Sequence, residues 1–250
     1  MTVLILFLLG LAVGSFLGVL AERLPKGQDV LVTRSHCDFC KHKLTASELI
    51  PVVSWVIQGG RSACCHKKLS VRYPLLEICT ALLFVLLYWT HGTNVIQLVG
   101  ILIIFCSLVV MFFADWSTHI IPDSMIVSGL VGVVLFHWID VSSITLIHLV
   151  LSGGGAGLFF FFLWLGTRGR GMGFGDVKLS FLLGVWLGFP RILITLYVAF
   201  LTGAGVGVIL MMLRKKSLKS TIAFGPFLIF GSIVAFFWGD VVWQYIIKIF

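Results

Sequence analysis

The sequence predicts an all-α polytopic membrane protein of about eight transmembrane helices, with a cytoplasmic loop domain after the first helix. Three observations carry that prediction. Of 250 residues, 59% are hydrophobic and only 11% are charged, whereas a soluble domain runs nearer about 25% charged. A soluble globular enzyme, a disordered chain and a secreted disulfide scaffold are thereby excluded. The apolar residues fall in runs close to the roughly 20 residues that a bilayer-spanning helix needs. They are too long, and alternate too little, to be the strands of a membrane barrel. Finally, the basic residues gather on alternate loops.

Taken in order, the apolar segments are 2–21, 73–90, 95–114, 124–139, 144–166, 177–189, 192–213 and 224–247. The first has no basic stretch before it and is followed by Glu22 and Arg23, so it is expected to be a retained anchor rather than a cleaved signal. The chain divides into the first helix (1–21), a loop domain rich in Cys and basic residues (22–72) and a seven-helix membrane domain (73–250). The formal net charge of +8 needs no nucleic-acid partner. With eight alternating crossings, the loops 22–72, 167–178 and 214–223 share one side and hold sixteen of the 18 Lys and Arg residues, including Arg34, Arg168, Arg170, Arg214, Lys215, Lys216 and Lys219. Arg191 and Lys248 fall on the other. Such asymmetry assigns the basic face to the cytoplasm. Trp89, Trp116, Trp138, Trp164 and Trp243 fall near predicted interfaces, where indoles anchor helices. Cys79 and Cys106 read as small packing residues within spans. Gly153 to Gly157, and Gly203, Gly205 and Gly207, are expected to let helices approach closely.

Acidic residues at membrane depth are costly, so each needs a reason. Asp115 closes the third segment and Asp176 opens the sixth, in Gly171-Met-Gly-Phe-Gly-Asp176. One span leaves and one returns between them, so both acids reach the cytoplasmic boundary. Two carboxyl groups in a partly apolar cavity tend to hold one shared proton. One then activates water as a general base; the other polarises a peptide carbonyl and protonates the leaving amine. The glycines at 171, 173 and 175 allow backbone to lie close to a substrate strand. The alternative for Asp176 is a helix cap. Asp123, after Pro122, is expected to cap the fourth segment, and Asp140 and Asp240 to be solvated at outer ends. His119 lies between Asp115 and Asp123 and is expected to be solvated at the boundary.

These motifs carry a family resemblance. Gly173-Phe-Gly-Asp176 matches the GxGD signature of membrane aspartyl proteases. Together with Asp115 and Ile121-Pro122-Asp123, it resembles the type IV prepilin peptidases. So do the run from Gly14 to Pro25, Cys37-Asp-Phe-Cys40, Glu48 to Trp55, Arg72 to Glu77, and Ala223-Phe-Gly-Pro-Phe227. The resemblance covers nearly the whole chain in order. It implies an enzyme of the bacterial cytoplasmic membrane, with its active site facing the cytoplasm. Such an enzyme cleaves leaders from type IV prepilins and pseudopilins, including those of competence and protein secretion. Asp115 and Asp176 would be the catalytic pair. It further implies N-methylation of the new terminus with S-adenosylmethionine, whose binding residues the sequence does not identify. The substrate's apolar helix would lie in the lipid against the enzyme. Glu22, Glu48 and Glu77 would attract its basic leader, which the basic loops repel.

The family also carries two CxxC pairs in this loop, a tetrahedral zinc arrangement. Here Cys37 and Cys40 form the first. In the second, Ser62 stands where the third cysteine belongs, and Cys64 adjoins Cys65. Cys37, Cys40, Cys64 and Cys65 are the candidate ligands of a structural zinc ion. Three cysteines with His66, His42 or His36 form another set, and metal-free thiols the alternative to both. Two further functional readings stay open: a peptidase without methyl transfer, and a secondary transporter whose paired aspartates bind protons or cations.

Overall fold

The computed structural model describes residues 1–30, 35–37, 39–92, 94–138, 143–169, 171–213 and 223–249, with backbone alone at 143–145 and 249. Arg34, Arg170, Arg214, Lys215, Lys216, Lys219 and Asp140 lie outside them. Among the described residues there are helices and two isolated bridge pairs but no strand. The helices are α1 (Thr2–Arg23), the short α2 (Val53–Ile57), α3 (Arg72–His91), α4 (Val95–Thr118), α5 (Asp123–His137), α6 (Ser143–Gly166), α7 (Phe174–Leu187), α8 (Arg191–Met212) and α9 (Gly225–Ile249).

Eight of these coincide with the predicted apolar segments, within three residues at most ends. Six, namely α1, α3, α4, α6, α8 and α9, are long and apolar enough to cross a membrane. The chain is thus a polytopic α-helical membrane protein. The remaining two are shorter: α5 has 15 residues and α7 has 14. Their ends follow local chemistry. Pro25 stops α1 in a 3₁₀ turn closed by Gly27 at φ 63°, since proline cannot continue a helix. Pro122 precedes α5, and Gly188 at φ 67° ends α7. Large apolar side chains such as Leu4, Ile5, Ile147, Val150 and Tyr197 are exposed on the long helices. On a soluble protein so much open apolar surface would be untenable; here it meets lipid. Trp89, Trp116 and Trp138 are likewise exposed, close to the ends of α3, α4 and α5.

The chain separates into two compact units, Met1–Leu102 and Ile103–Phe250. In the first, α1 packs on α3. Glycine makes this possible: a Cβ on Gly10 would lie 2.6 Å from the Ala81 Cα, and one on Gly14 would lie 2.8 Å from the Glu77 Cα. The loop between the two helices therefore starts and returns at one place.

In the second unit, α6 packs on α7, α8 packs on α9, and α7 also touches α5 and α9. Gly153 and Gly184 bring α6 and α7 together; a Cβ on Gly184 would sit 2.6 Å from the Gly153 Cα. The other expected packing glycines do less. Gly154, Gly155 and Gly205 face open space. Phe105, Trp186 and Phe236 form an aromatic core, with Phe105 5.5 Å edge-on to Trp186 and Trp186 stacked at 5.1 Å on Phe236. Asp240, expected to be solvated, is exposed, and it also takes both Nε and Nη2 of Arg191, at 3.0 and 2.6 Å, clipping α8 to α9.

Candidate active site and cysteine cluster

Asp115 sits in the last turn of α4, and Asp176 in the first turn of α7. Both are buried, at 5% and 6% exposure. They line one cavity of about 420 Å³ with His119, Ile121, Gly173, Gly175 and Phe224. The two carboxyl groups interact electrostatically there. Sequence separation has been overcome by three local devices. His119, at φ 55°, turns the chain sharply out of α4. Gly173, in extended conformation, is the residue before α7. Gly175 lets α7 approach the Ile121 side chain, which its Cβ would meet at 3.1 Å.

No side-chain cap is formed at the start of α7. Asp123, expected to cap α5, makes no capping bond either. It accepts instead from Lys178 Nζ at 2.6 Å, joining α5 to α7 at the rim. His119, expected to be solvated at the boundary, is exposed and also lines the cavity. Sequence reasoning missed Gly225 as a site residue. Its N–H, at the first position of α9, donates to Asp115 Oδ2 at 3.0 Å. The first amides of a helix have no partner within it, and an acceptor there is favoured. The available signal was Gly225-Pro226, a helix start without bulk.

The four cysteines also meet. The sulfurs of Cys37, Cys40, Cys64 and Cys65 all lie within 4.8 Å of one another, and no histidine joins this group among the described residues. Two turns of one design build it. In the first, the Cys37 N–H donates to His42 O at 2.8 Å and the Lys41 N–H to Cys37 O at 2.9 Å. In the second, the Ser62 N–H donates to Lys67 O at 2.9 Å and the His66 N–H to Ser62 O at 2.8 Å. Lys41 and His66 have matching positive φ, 59° and 55°. Bridge pairs His36–Lys43 and Arg61–Lys68 close the turns. Ser62 therefore holds the position equivalent to Cys37, and Cys65 that equivalent to Cys40. Cys64 enters from the tip, 2.9 Å from the Cys40 sulfur. The Ser62 hydroxyl lies 3.3 Å from the Cys37 sulfur and 3.1 Å from that of Cys64. That hydroxyl, followed by the backbone N–H groups of Cys40 and Phe39, draws the Cys37 thiol down to about 6. Cys64 is pushed up to about 12, chiefly by its contact with Cys40. Clustered thiols resist ionising together unless a cation neutralises them.

Residues 8–91 match the family model described as the bacterial peptidase A24 N-terminal domain, and residues 102–208 match that of the type IV leader peptidase family. Several curated relatives are named "Prepilin leader peptidase/N-methyltransferase". That of Pseudomonas putida is 31% identical, over 93% of this chain and 89% of its own length. That of Aeromonas hydrophila is 33% identical, over 94% and 90%. That of Pectobacterium carotovorum subsp. carotovorum is 35% identical, over 90% and 89%. No solved structure matches the chain significantly.

Proposed function

The chain belongs to the type IV leader peptidase family, and from that premise we propose that it cleaves the leaders of prepilins or pseudopilins with Asp115 and Asp176 as its catalytic pair. The observation that carries this assignment is the convergence of two buried carboxyl groups from α4 and α7 on one cavity. The ionised partner takes a proton from water, and the resulting hydroxide attacks the scissile carbonyl. The protonated partner donates to the carbonyl oxygen and then, through the tetrahedral diol, a proton reaches the leaving amine. The amide of Gly225 fixes one oxygen of Asp115, so the carboxyl group is oriented before substrate arrives. Lys178 on the cavity wall and Arg168 in the loop before α7 support a cytoplasmic location for the cavity.

After cleavage the new amino terminus is N-methylated with S-adenosylmethionine, the second activity in the relatives' names. A transporter reading has no comparable support. The test is prepilin cleavage by purified enzyme in detergent, with Asp115→Asn and Asp176→Asn. Asn keeps the acceptor for Gly225 but cannot exchange the proton. Each change should lower the rate by about 10²–10⁴-fold, the range for losing an acid–base group. Cleavage at the wild-type rate by either variant would refute the pairing.

The cysteine turns fit a structural zinc ion. Zinc–sulfur bonds of about 2.3 Å in a tetrahedron put sulfurs about 3.8 Å apart; the Cys37–Cys65 separation is 3.8 Å, while Cys40 and Cys64, at 2.9 Å, would move apart to take the ion. Cys37, Cys40, Cys64 and Cys65 would hold the ion, with the Ser62 hydroxyl as an outer partner. The ion would supply folding energy to the 22–72 loop domain, whose own apolar core is small.

A further inference from the structure

We infer that a cavity in the unit Met1–Leu102 binds the methyl donor S-adenosylmethionine. The inference rests on the methyltransferase reading above and names residues for it. The cavity measures about 570 Å³ and is lined from α1, the loop and the start of α3. That volume is typical of a small-molecule site.

Its chemistry is uneven. The chain is strongly basic, with 10 acidic residues against 18 basic ones, yet four of those acids line this one cavity: Glu22, Asp29, Glu48 and Glu77. Arg23, Lys26 and Lys41 line it too. A walled space that offers carboxylates in excess, beside some cations, suits a ligand with both signs and a net positive charge. S-adenosylmethionine has a sulfonium and an ammonium against a single carboxylate. Its purine needs an aromatic face, which Trp55 and Tyr73 provide. The Trp55 indole nitrogen is buried and has no hydrogen-bond partner among the described residues. A buried donor without a partner costs free energy unless something fills the vacancy, and a purine or carboxylate acceptor would do so.

Two contacts hold this wall in shape. Glu77 is 7% exposed and accepts from the Val52 N–H at 2.7 Å. Val52, a β-branched residue, adopts φ 60°, a conformation that such residues rarely take. Strain of this kind collects at binding sites. Glu77 is thus a positioning residue: it fixes the turn that leads into Trp55. Glu22, exposed at the end of α1, accepts from the Tyr73 hydroxyl at 3.0 Å.

The methyl-transfer step balances simply. The new amino terminus gives one proton to a carboxylate or to water. Its nitrogen then attacks the methyl carbon as the carbon–sulfur bond breaks, the electron pair stays on sulfur, and neutral S-adenosylhomocysteine leaves. Loss of the sulfonium charge weakens the hold of the carboxylates and favours product exchange. A part-open cavity of this volume matches a small molecule in size.

Calorimetric titration of the full-length enzyme in detergent tests the assignment, with S-adenosylmethionine and S-adenosylhomocysteine as probes. Trp55→Phe keeps a ring but removes the donor, and should weaken both ligands about tenfold. Glu22→Gln keeps the acceptor for Tyr73 but removes charge. It should weaken S-adenosylmethionine several-fold and leave the neutral product unchanged, a selectivity that misfolding would not mimic. Should Trp55→Phe fail to fold, the exposed Glu22 carries the test. Wild-type binding that neither variant alters overturns the site, as does equal weakening of both ligands by Glu22→Gln. So does displacement of S-adenosylmethionine by a Lys-rich leader peptide. Failure of the underlying reading looks different: wild-type enzyme would cleave prepilin, bind no S-adenosylmethionine and leave the product unmethylated.

Discussion

Replacing Gly225 by Ala should cripple proteolysis without replacing either proposed catalytic side chain. The Gly225 amide donates to Asp115 Oδ2 at 3.0 Å. A Cβ there would lie 2.6 Å from that same oxygen, 3.2 Å from Asp115 Cγ and 3.3 Å from Ile121 Cδ1. No relaxed carbon approaches a carboxylate oxygen so closely. Either Asp115 rotates away or the start of α9 withdraws, and either movement stretches the hydrogen bond. A hydrogen bond to a charged group contributes about 1.5–3 kcal/mol. At about 1.36 kcal/mol per decade of rate, its loss from the transition state costs roughly 10–10²-fold. Misplacing a reacting group by about 1 Å costs roughly 10²-fold by itself. We therefore expect kcat for prepilin cleavage to fall about 10²-fold, with a smaller change in KM, because the substrate's apolar helix does not depend on this contact. Initial rates of leader removal by purified enzyme provide the measurement. Gly205→Ala in α8 is the control, since its Cβ would meet nothing within 4 Å. A folded Gly225→Ala enzyme that cleaves at the wild-type rate would refute the claim that this amide orients Asp115.

Other outcomes follow from the loop. Cys64→Ser should abolish stoichiometric zinc, and adding Ser62→Cys in the same chain should restore it, because Ser62 already occupies the position equivalent to Cys37; mass-spectrometric metal content decides this, and zinc retained by Cys64→Ser alone would remove Cys64 from the ligand set. Ser62→Ala should weaken zinc binding about 10–100-fold, as loss of an outer-shell partner does, which a chelator competition reads directly. Glu48 is held below the usual carboxylate range by the Thr45 N–H, then by the Thr45 hydroxyl. A depressed carboxyl stabilises the fold above its unfolded value and ceases to do so as pH falls through the lowered folded value. Hydrogen exchange at the Thr45 amide should accordingly quicken, beyond its intrinsic pH dependence, only on the acid side of about pH 4, and Glu48→Gln should remove the transition.

Much of this molecule was legible in its sequence, for a physical reason. Lipid demands unbroken apolar runs, so polar breaks mark helix ends nearly as well as coordinates do: 2–21 became Thr2–Arg23, and 192–213 became Arg191–Met212. The convergence of Asp115 and Asp176 on one cavity was legible because an acid in an apolar stretch of sequence stands out against its surroundings. Partners in space were not. Nothing local in the sequence says that Asp240 meets Arg191, that Asp123 meets Lys178, or that the amide of Gly225 turns to Asp115. Nor does it say how the Cys64-Cys65 pair joins one cluster. That required two turns with the same hydrogen bonds, which make Ser62 the counterpart of Cys37 and leave Cys64 to supply a sulfur from the tip.

The brevity of α7 bears on the catalytic proposal. Fourteen residues rise about 21 Å at 1.5 Å each, short of a hydrocarbon core about 30 Å thick. Gly153 and Gly184 lock α7 against α6, so it cannot slide freely to regain the missing length. On the proposal that α7 is the sixth span, one of its ends stops below a surface. Its first turn, with Asp176 and the run of glycines before it, faces a cavity of about 420 Å³ rather than a packed wall. Irregular backbone is tolerated at such depth only beside protein or water, and a hydrolase needs that water next to its acids. A substrate whose cleavage point adjoins an apolar helix presents its scissile peptide at a comparable level. Lengthening α7 by a full turn of leucines after Leu187 leaves the acids in sequence but adds about 5.4 Å of helix. If depth is what matters, cleavage should fall while the fold survives. Leader removal that is indifferent to the insertion would show that the short helix is incidental to catalysis.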